Sequence, residues 1–209
     1  EHSASVSTGT DKSQFYMSMS YFNDAGATRN QSTDRFSGNF KGNFRLSESF
    51  SITGILYGSI RNQRSFYNNN PYNYALNTSR AMRPYDDEGE LEYYQSNYAP
   101  FNILHEMDNN FVDIKLKEIS FQVEGKWDIT EILNFSTIAS GRSTSASSEN
   151  IATEISNLAE SYRAMQSIAI RDRNDRLYND PYDDSEFPIS VLPRGGIAAI
   201  ENSLGEFYT

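Results

Sequence analysis

Polar and apolar residues alternate with a period of two in several separate stretches, and each such stretch reads as a β-strand with two unlike faces. Between Arg35 and Leu46, Phe36, Gly38, Phe40, Gly42, Phe44 and Leu46 fall on one face and Ser37, Asn39, Lys41, Asn43 and Arg45 on the other. Between Phe50 and Arg61, Phe50, Ile52, Gly54, Leu56, Gly58 and Ile60 oppose Ser51, Thr53, Ile55, Tyr57, Ser59 and Arg61. Phe15, Met17, Met19 and Tyr21 separate in the same way from Tyr16, Ser18, Ser20 and Phe22. Ile119, Phe121, Val123, Gly125 and Trp127 separate from Ser120, Gln122, Glu124 and Lys126, and Leu133, Phe135, Thr137, Ala139 and Gly141 from Asn134, Ser136, Ile138, Ser140 and Arg142. With a weaker run at the start, the pattern predicts strands near 3–10, 14–22, 34–46, 50–62, 111–127 and 132–145. Ile114 and Leu116 sit on the opposite parity from the rest of their strand, so a β-bulge or an inward apolar pair is expected there.

The connectors alternate as well. Thr10 to Ser13, Ser47 to Ser49 and Asp128 to Glu131 read as tight turns, whereas the link from Asn23 to Ser32, the loop 64–110 and the tail after Ser147 are long. Short turns at one end and long loops at the other are the layout of an outer-membrane barrel. Strands of about 10 to 14 residues also exceed the five or six usual in globular domains. The expected fold is therefore all-β: an antiparallel up-and-down transmembrane β-barrel segment with long extracellular loops. Residues 1–147 hold the barrel strands and loops. Residues 148–209 form an extracellular loop with a short helix near 149–168, where Ile151, Ile155, Leu158, Tyr162 and Met165 recur at helical spacing. Phe36, Phe40, Phe44, Ile52, Leu56, Phe121, Val123 and Phe135 are expected to face lipid, and Lys41, Arg45, Glu124 and Lys126 to face the lumen. The rival is a soluble or surface β-rich binding or adhesion domain, in which the same apolar side chains would face a closed protein core.

Composition narrows the chemistry. Hydrophobic residues make up only 37%, yet 14 Tyr and 13 Phe are present, so the chain is wet but not poor in aromatics as disordered segments are. Eighteen basic against 28 acidic residues, with no basic cluster, argue against a nucleic-acid partner. There are no cysteines, no run of about 18 apolar residues and no motif of nucleophilic, metal or phosphate chemistry. No catalytic residue, metal ligand or cofactor is expected, and the reading is of a protein that is not an enzyme. His105 is expected to pack or hydrogen-bond, and the acidic groups at 86–88 and 180–186 to be solvated loop charge. The best binding candidates are tyrosines of the long loop, Tyr67, Tyr72, Tyr74, Tyr85, Tyr93, Tyr94 and Tyr98, interleaved with Asn, Arg and acidic residues. Their rings suit stacking on sugar or peptide surfaces, and equally suit knitting the rim of a barrel.

The stretch HSASVSTGTDKSQFYMSMSYFNDAGATRNQSTDRFSGNFKGNFRLSESFSITG, followed in order by NPYNYALNTS at 70–79, ILHEMDNN at 103–110 and FPISVLPRGGI at 187–197, resembles the SusC/RagA family of TonB-linked outer-membrane proteins of Bacteroidetes. The resemblance implies an interior slice, about six strands, of a larger plugged barrel of the 22-strand class. It also implies residence in a Gram-negative outer membrane and contact with outer-membrane lipid. The implied function is uptake of oligosaccharides or peptides, with a SusD-like surface lipoprotein as lid and the TonB complex as energy source, acting through parts not in this sequence.

Overall fold

In the computed structural model, which describes residues 1–96, 99–164, 169, 172 and 195–208, the alternating stretches form one antiparallel sheet. Its strands are β1 (His2–Gly9), β2 (Ser13–Asp24), β3 (Ser32–Arg45), β4 (Phe50–Phe66), β7 (Asn110–Thr130), β8 (Leu133–Ala152) and β9 (Ile197–Tyr208). The sheet order is β1-β2-β3-β4-β7-β8-β9, so each strand pairs with the next in the chain, an up-and-down meander. The sheet is open, with β1 and β9 at its edges. Between β4 and β7 lie α1 (Pro71–Asn77), the small hairpin of β5 (Tyr94–Ser96) and β6 (Ala99–Phe101), and α2 (Ile103–Asn109); α3 (Asn157–Ala164) follows β8.

The turns at one end are short for local reasons. In the first, Thr10 N–H donates to Ser13 O at 2.6 Å while Thr10 Oγ1 accepts from the N–H groups of Lys12 and Ser13, a hydroxyl standing in for backbone. In the second, the N–H groups of Leu46 and Ser47 both reach Phe50 O. The opposite end carries the loop 25–31 and the described parts of the connections after β4 and after β8.

Three expectations need correction, and the alternative left open at Ile114 and Leu116 is resolved. The strands run further into the long loops than the alternation suggests: 64–66 belong to β4, and β8 continues through 146–152. No bulge occurs near Ile114, because register is continuous from Asn110 to Asp128 and the one shift lies between Asp128 and Thr130. Ile114 and Leu116 are instead the inward apolar pair, opposite Gln63 and Arg61. The helix expected over 149–168 starts later, at Asn157, and is described over Asn157–Ala164; the backbone of 149–152 is paired with both β7 and β9, and Ser156 Oγ caps the later start by accepting Ala159 N–H at 3.2 Å. Its packed face is Asn157, Ala159, Ser161 and Ala164, while Tyr162 stays exposed and Met165 lies outside the described residues. Finally, 197–208 is a seventh strand of the sheet and not loop.

The buried side chains are not sandwiched by the sheet. Ala99, Asn102, Glu106, Met107, Ser156, Asn157, Ala159, Ser161 and Ala164 all lie in the long loops, and Asn110 and Ala152 at the strand ends that enter them. Among the described residues the core is therefore a cap at the long-loop end, and both faces of the sheet below it are left uncovered.

Candidate functional site: an exposed apolar face and a polar-cored loop cap

Antiparallel partners point to the same side of a sheet, so register alone fixes the two faces. One cross-strand row runs Val6, Met17, Phe40, Leu56, Phe121, Gly141, Tyr208; another runs Tyr21, Phe36, Ile60, Lys117, Ser145, Leu204. Near the short turns, Trp127 pairs with both Phe50 and Phe135, and Phe15 meets Phe44 edge-on at 5.2 Å. All eight residues expected to face lipid share this side, and all but the half-buried Ile52 are exposed: Phe36 51%, Leu56 48%, Phe121 49%. Toward the loops the same side becomes charged. Arg64 binds Asp113 through two bonds of 2.7 and 2.6 Å with its guanidinium 4.2 Å from the Phe111 ring, and Tyr21 and Asn23 both donate to Asp34.

The opposite side carries Lys41, Arg45, Glu124 and Lys126, as expected from parity. Glu124 and Lys126 pair at 3.3 Å, Glu118 and Arg142 at 3.0 Å, and Ser20 and Ser37 share a 2.7 Å hydroxyl bond. Along β4 and β7 the polar-face residues, among them Tyr57, Ser59, Arg61, Glu118 and Gln122, are half-buried, while apolar-face Leu56, Ile60, Ile119 and Phe121 are exposed. A curved sheet gives this inverse of the usual dressing when its polar face is the concave one. Asn39 Oδ1 and Arg61 Nε are buried on that side without a hydrogen-bond partner among the described residues.

The cap is held by polar groups. Asn102 caps α2 through Oδ1, which accepts from Leu104 and His105, and its Nδ2 donates to Pro84 O and Glu92 O at 2.8 Å each. Glu106, fully buried, accepts Asn157 N–H at 2.7 Å, and Asn157 Nδ2 in turn reaches the carbonyls of Ser96, Ala99 and Pro100. Burial raises the Glu106 carboxyl above its ordinary value although Asn157 and Asn110 donate to it, and burial raises Glu160 as well. The β2–β3 loop joins the same cap. Asn30, held at φ 58°, where Asn is among the best-tolerated side chains, donates to Asp108 Oδ1 and Met107 O, and Arg29 pairs with Asp108 at 3.1 Å. Thr153 closes the third loop onto Asn109 by backbone and side-chain bonds.

The tyrosines divide by role. Tyr74 packs on Phe101 with ring centres 5.5 Å apart, and Tyr94 Oη accepts Arg83 N–H at 2.8 Å. His105 Nε2 sits 2.9 Å from Ile155 O, a carbonyl that can only accept, so Nε2 carries the proton; in the neutral ring Nδ1 then accepts the Tyr93 hydroxyl at 3.1 Å. Burial first, then the charges of Glu106 and Glu160, raise the Tyr93 phenol. Tyr67, Tyr72 and Tyr85 are exposed, with no side-chain hydrogen bond or ring partner among the described residues. Tyr98 lies outside the described residues, as do the acidic residues at 180–186. Sequence reasoning missed Glu106 and Asn157; no local signal pairs residues 51 positions apart. No helix among the described residues is long and apolar enough to cross a membrane, which says nothing of strands. No protein-family model matches the chain, and no curated protein matches it.

Proposed function

We propose that this chain is a segment of a transmembrane β-barrel of a Gram-negative outer membrane, apolar face to lipid and polar face to the lumen. The observation that supports this best is the inverted dressing of the sheet. Phe36, Phe40, Phe44, Leu56, Phe121 and Phe135 are exposed on one face, over a patch larger than soluble monomers ordinarily leave to water. From Phe36 to Phe44 the apolar run of β3 covers about 27 Å along the strand, or roughly 20 Å once tilted as barrel strands are, near the height of an outer-membrane apolar band. Aromatic rings at its lower margin, Phe50, Trp127 and Phe135, suit a membrane interface.

Its role, on the resemblance to SusC/RagA proteins, is part of a TonB-dependent importer of oligosaccharides or peptides under a SusD-like lipoprotein. Free tyrosines at the long-loop end suit first contact with such cargo, and the buried unpartnered Asn39 and Arg61 suit a wet or plug-filled lumen. Trp127 is the one tryptophan of the chain and is exposed on the apolar face. After reconstitution of the full chain into vesicles, its fluorescence should be quenched by brominated acyl chains and shielded from acrylamide. The opposite result would favour the soluble binding domain.

A further inference from the structure

A groove of about 540 Å³ runs along the apolar face. Gly38 and Gly58, direct cross-strand partners, floor it; Phe36, Phe40, Leu56 and Ile60 wall it. It is open because neither glycine carries a side chain. A Cβ at either would meet nothing nearer than a carbonyl oxygen at 3.9 Å, so the space is not required by backbone packing.

The loop-side end of the groove is cationic. Lys117 lines it together with Ser143 and Ser145, and Lys115 follows two positions further along the same face. Cross-strand from Lys117 stand Ile60 and Ser145, and along its own strand Lys115 and Ile119; the diagonal neighbours are Gly58, Asn62, Ser143 and Ser147. None is a carboxylate. Asp113, beside Lys115, is already taken by Arg64 in a two-bond pair, and Asp34 by Tyr21 and Asn23. The other acids on this face are Glu206, the register partner of Ser143, whose Oε2 accepts the Tyr208 hydroxyl at 3.1 Å, and Glu149, the register partner of Asp113, which lies beyond Lys115 from the groove. Neither lysine forms an ion pair among the described residues, and both are exposed.

A channel floored by glycine and walled by aromatic and branched side chains fits an extended acyl chain. Two unneutralised ammonium groups and two hydroxyls at its mouth, where the apolar band ends, fit a phosphate. We infer that this face holds an anionic phospholipid, with one acyl chain in the Gly38–Gly58 groove and its phosphate against Lys117, Lys115 and the Ser143 and Ser145 hydroxyls. This inference rests on the membrane reading above.

The test places a reporter beside the groove without filling it. Leu204 lies two strands from Lys117 in the same cross-strand row, about 10 Å away. Leu204→Trp in a Trp127→Phe background is reconstituted in phosphatidylcholine vesicles doped with brominated phosphatidylglycerol or brominated phosphatidylcholine. The brominated anionic lipid should quench more strongly, with relative affinity falling roughly fivefold in Lys117→Gln, as expected for one lysine near an anionic surface. Gly58→Leu, which fills the groove, should reduce the occupancy of both lipids at this site. Equal quenching by the two lipids in the parent protein would overturn the inference and leave the membrane reading standing. Loss of the preference on adding inorganic phosphate would show that Lys117 takes phosphate from solution, and would also overturn it. Absence of quenching by either lipid, here and at Trp127, would sink the membrane reading itself.

Discussion

Glu106 Oε1 accepts the backbone N–H of Asn157 at 2.7 Å, so a single buried carboxylate joins the loop after β4 to the loop after β8. Its other oxygen faces Asn69 at 3.3 Å and Asn110 at 3.5 Å. Removing it in Glu106→Ala leaves a buried N–H without an acceptor, a loss of about 1–3 kcal/mol in the docking of the two loops. Hydrogen exchange at the Asn157 amide would read this as lowered protection, with the strands of the sheet unaffected.

The same carboxyl sets a pH dependence. Burial raises it above 4.5 in the folded cap, so the folded state holds the proton more tightly than the unfolded loops do. The associated stabilisation is complete below that unfolded value and is lost as pH rises through the raised folded value. Glu160, also raised by burial, contributes with the same sign. The protection factor of the Asn157 amide should therefore decline as pH increases above 4.5, and Glu106→Gln should flatten the decline. In that variant Oε1 still accepts from Asn157, and a rotated Asn110 amide can turn its unpartnered Oδ1 toward the new NH₂ group. A protection factor that rises with pH would mean that the cap prefers the ionised form.

The tyrosines make a separable prediction. Tyr67, Tyr72 and Tyr85 have free faces, whereas Tyr74 and Tyr94 are engaged in the cap and Tyr93, itself exposed, is tied to it through His105. On the importer reading proposed above, alanine at each free position should weaken binding of an oligosaccharide or peptide by roughly two- to tenfold, the scale of one lost aromatic contact, without loosening the cap. Alanine at Tyr74 or Tyr94 should loosen the cap first. Titration calorimetry paired with hydrogen exchange separates the two groups, and a free tyrosine whose loss changes neither is not a contact.

Phe40 and Asn39 are adjacent and face opposite ways, which allows a paired test of orientation. On the membrane reading proposed above, Phe40→Arg puts a charge on the lipid side and should cost about 2–4 kcal/mol, enough to lower assembly into outer-membrane vesicles. Asn39→Arg puts the same charge among the polar side chains and should assemble close to normally. The reverse ranking would invert the faces.

The identity, order and two faces of β1 to β4, β7 and β8 were legible because β-structure writes itself locally, whereas β9 and the β5–β6 hairpin were read as loop. A period of two sets the face of Phe36 or Lys41 without reference to any distant residue, and a short turn such as Thr10 to Ser13 makes its flanking strands neighbours. The failures lie where tertiary pairing overrides local spacing. Ile151 has helical companions in sequence, yet it stands in β8 because β7 and β9 flank it on both sides. The cap was hidden for a related reason: its bonds run from Asn30 to Asp108, Glu106 to Asn157 and Asn109 to Thr153, between polar residues that resemble solvated loop positions until the loops are brought together.

Gly141 tests how tightly the last strand is fastened. A Cβ there would meet Phe121 Cε1 at 2.6 Å, Phe121 Cζ at 2.9 Å and Tyr208 Cδ1 at 3.2 Å, so the two rings close over the bare backbone of β8 from either side. Covering a strand glycine with cross-strand aromatics restores the packing that the missing side chain forfeits. Gly141→Ala should therefore displace Phe121 and Tyr208 and destabilise the β8–β9 pairing by about 1 kcal/mol, the low end of overpacking costs because both rings border open space. Gly54→Ala, with nothing within 4 Å of its Cβ, supplies the control and should be neutral or slightly stabilising. If ring displacement is the cause, Gly141→Ala should cost less in a Phe121→Ala background, a coupling that a double-mutant cycle on the urea midpoint would detect. Full additivity of the two substitutions would mean that the glycine is needed for its backbone alone and that the rings do not fasten β9.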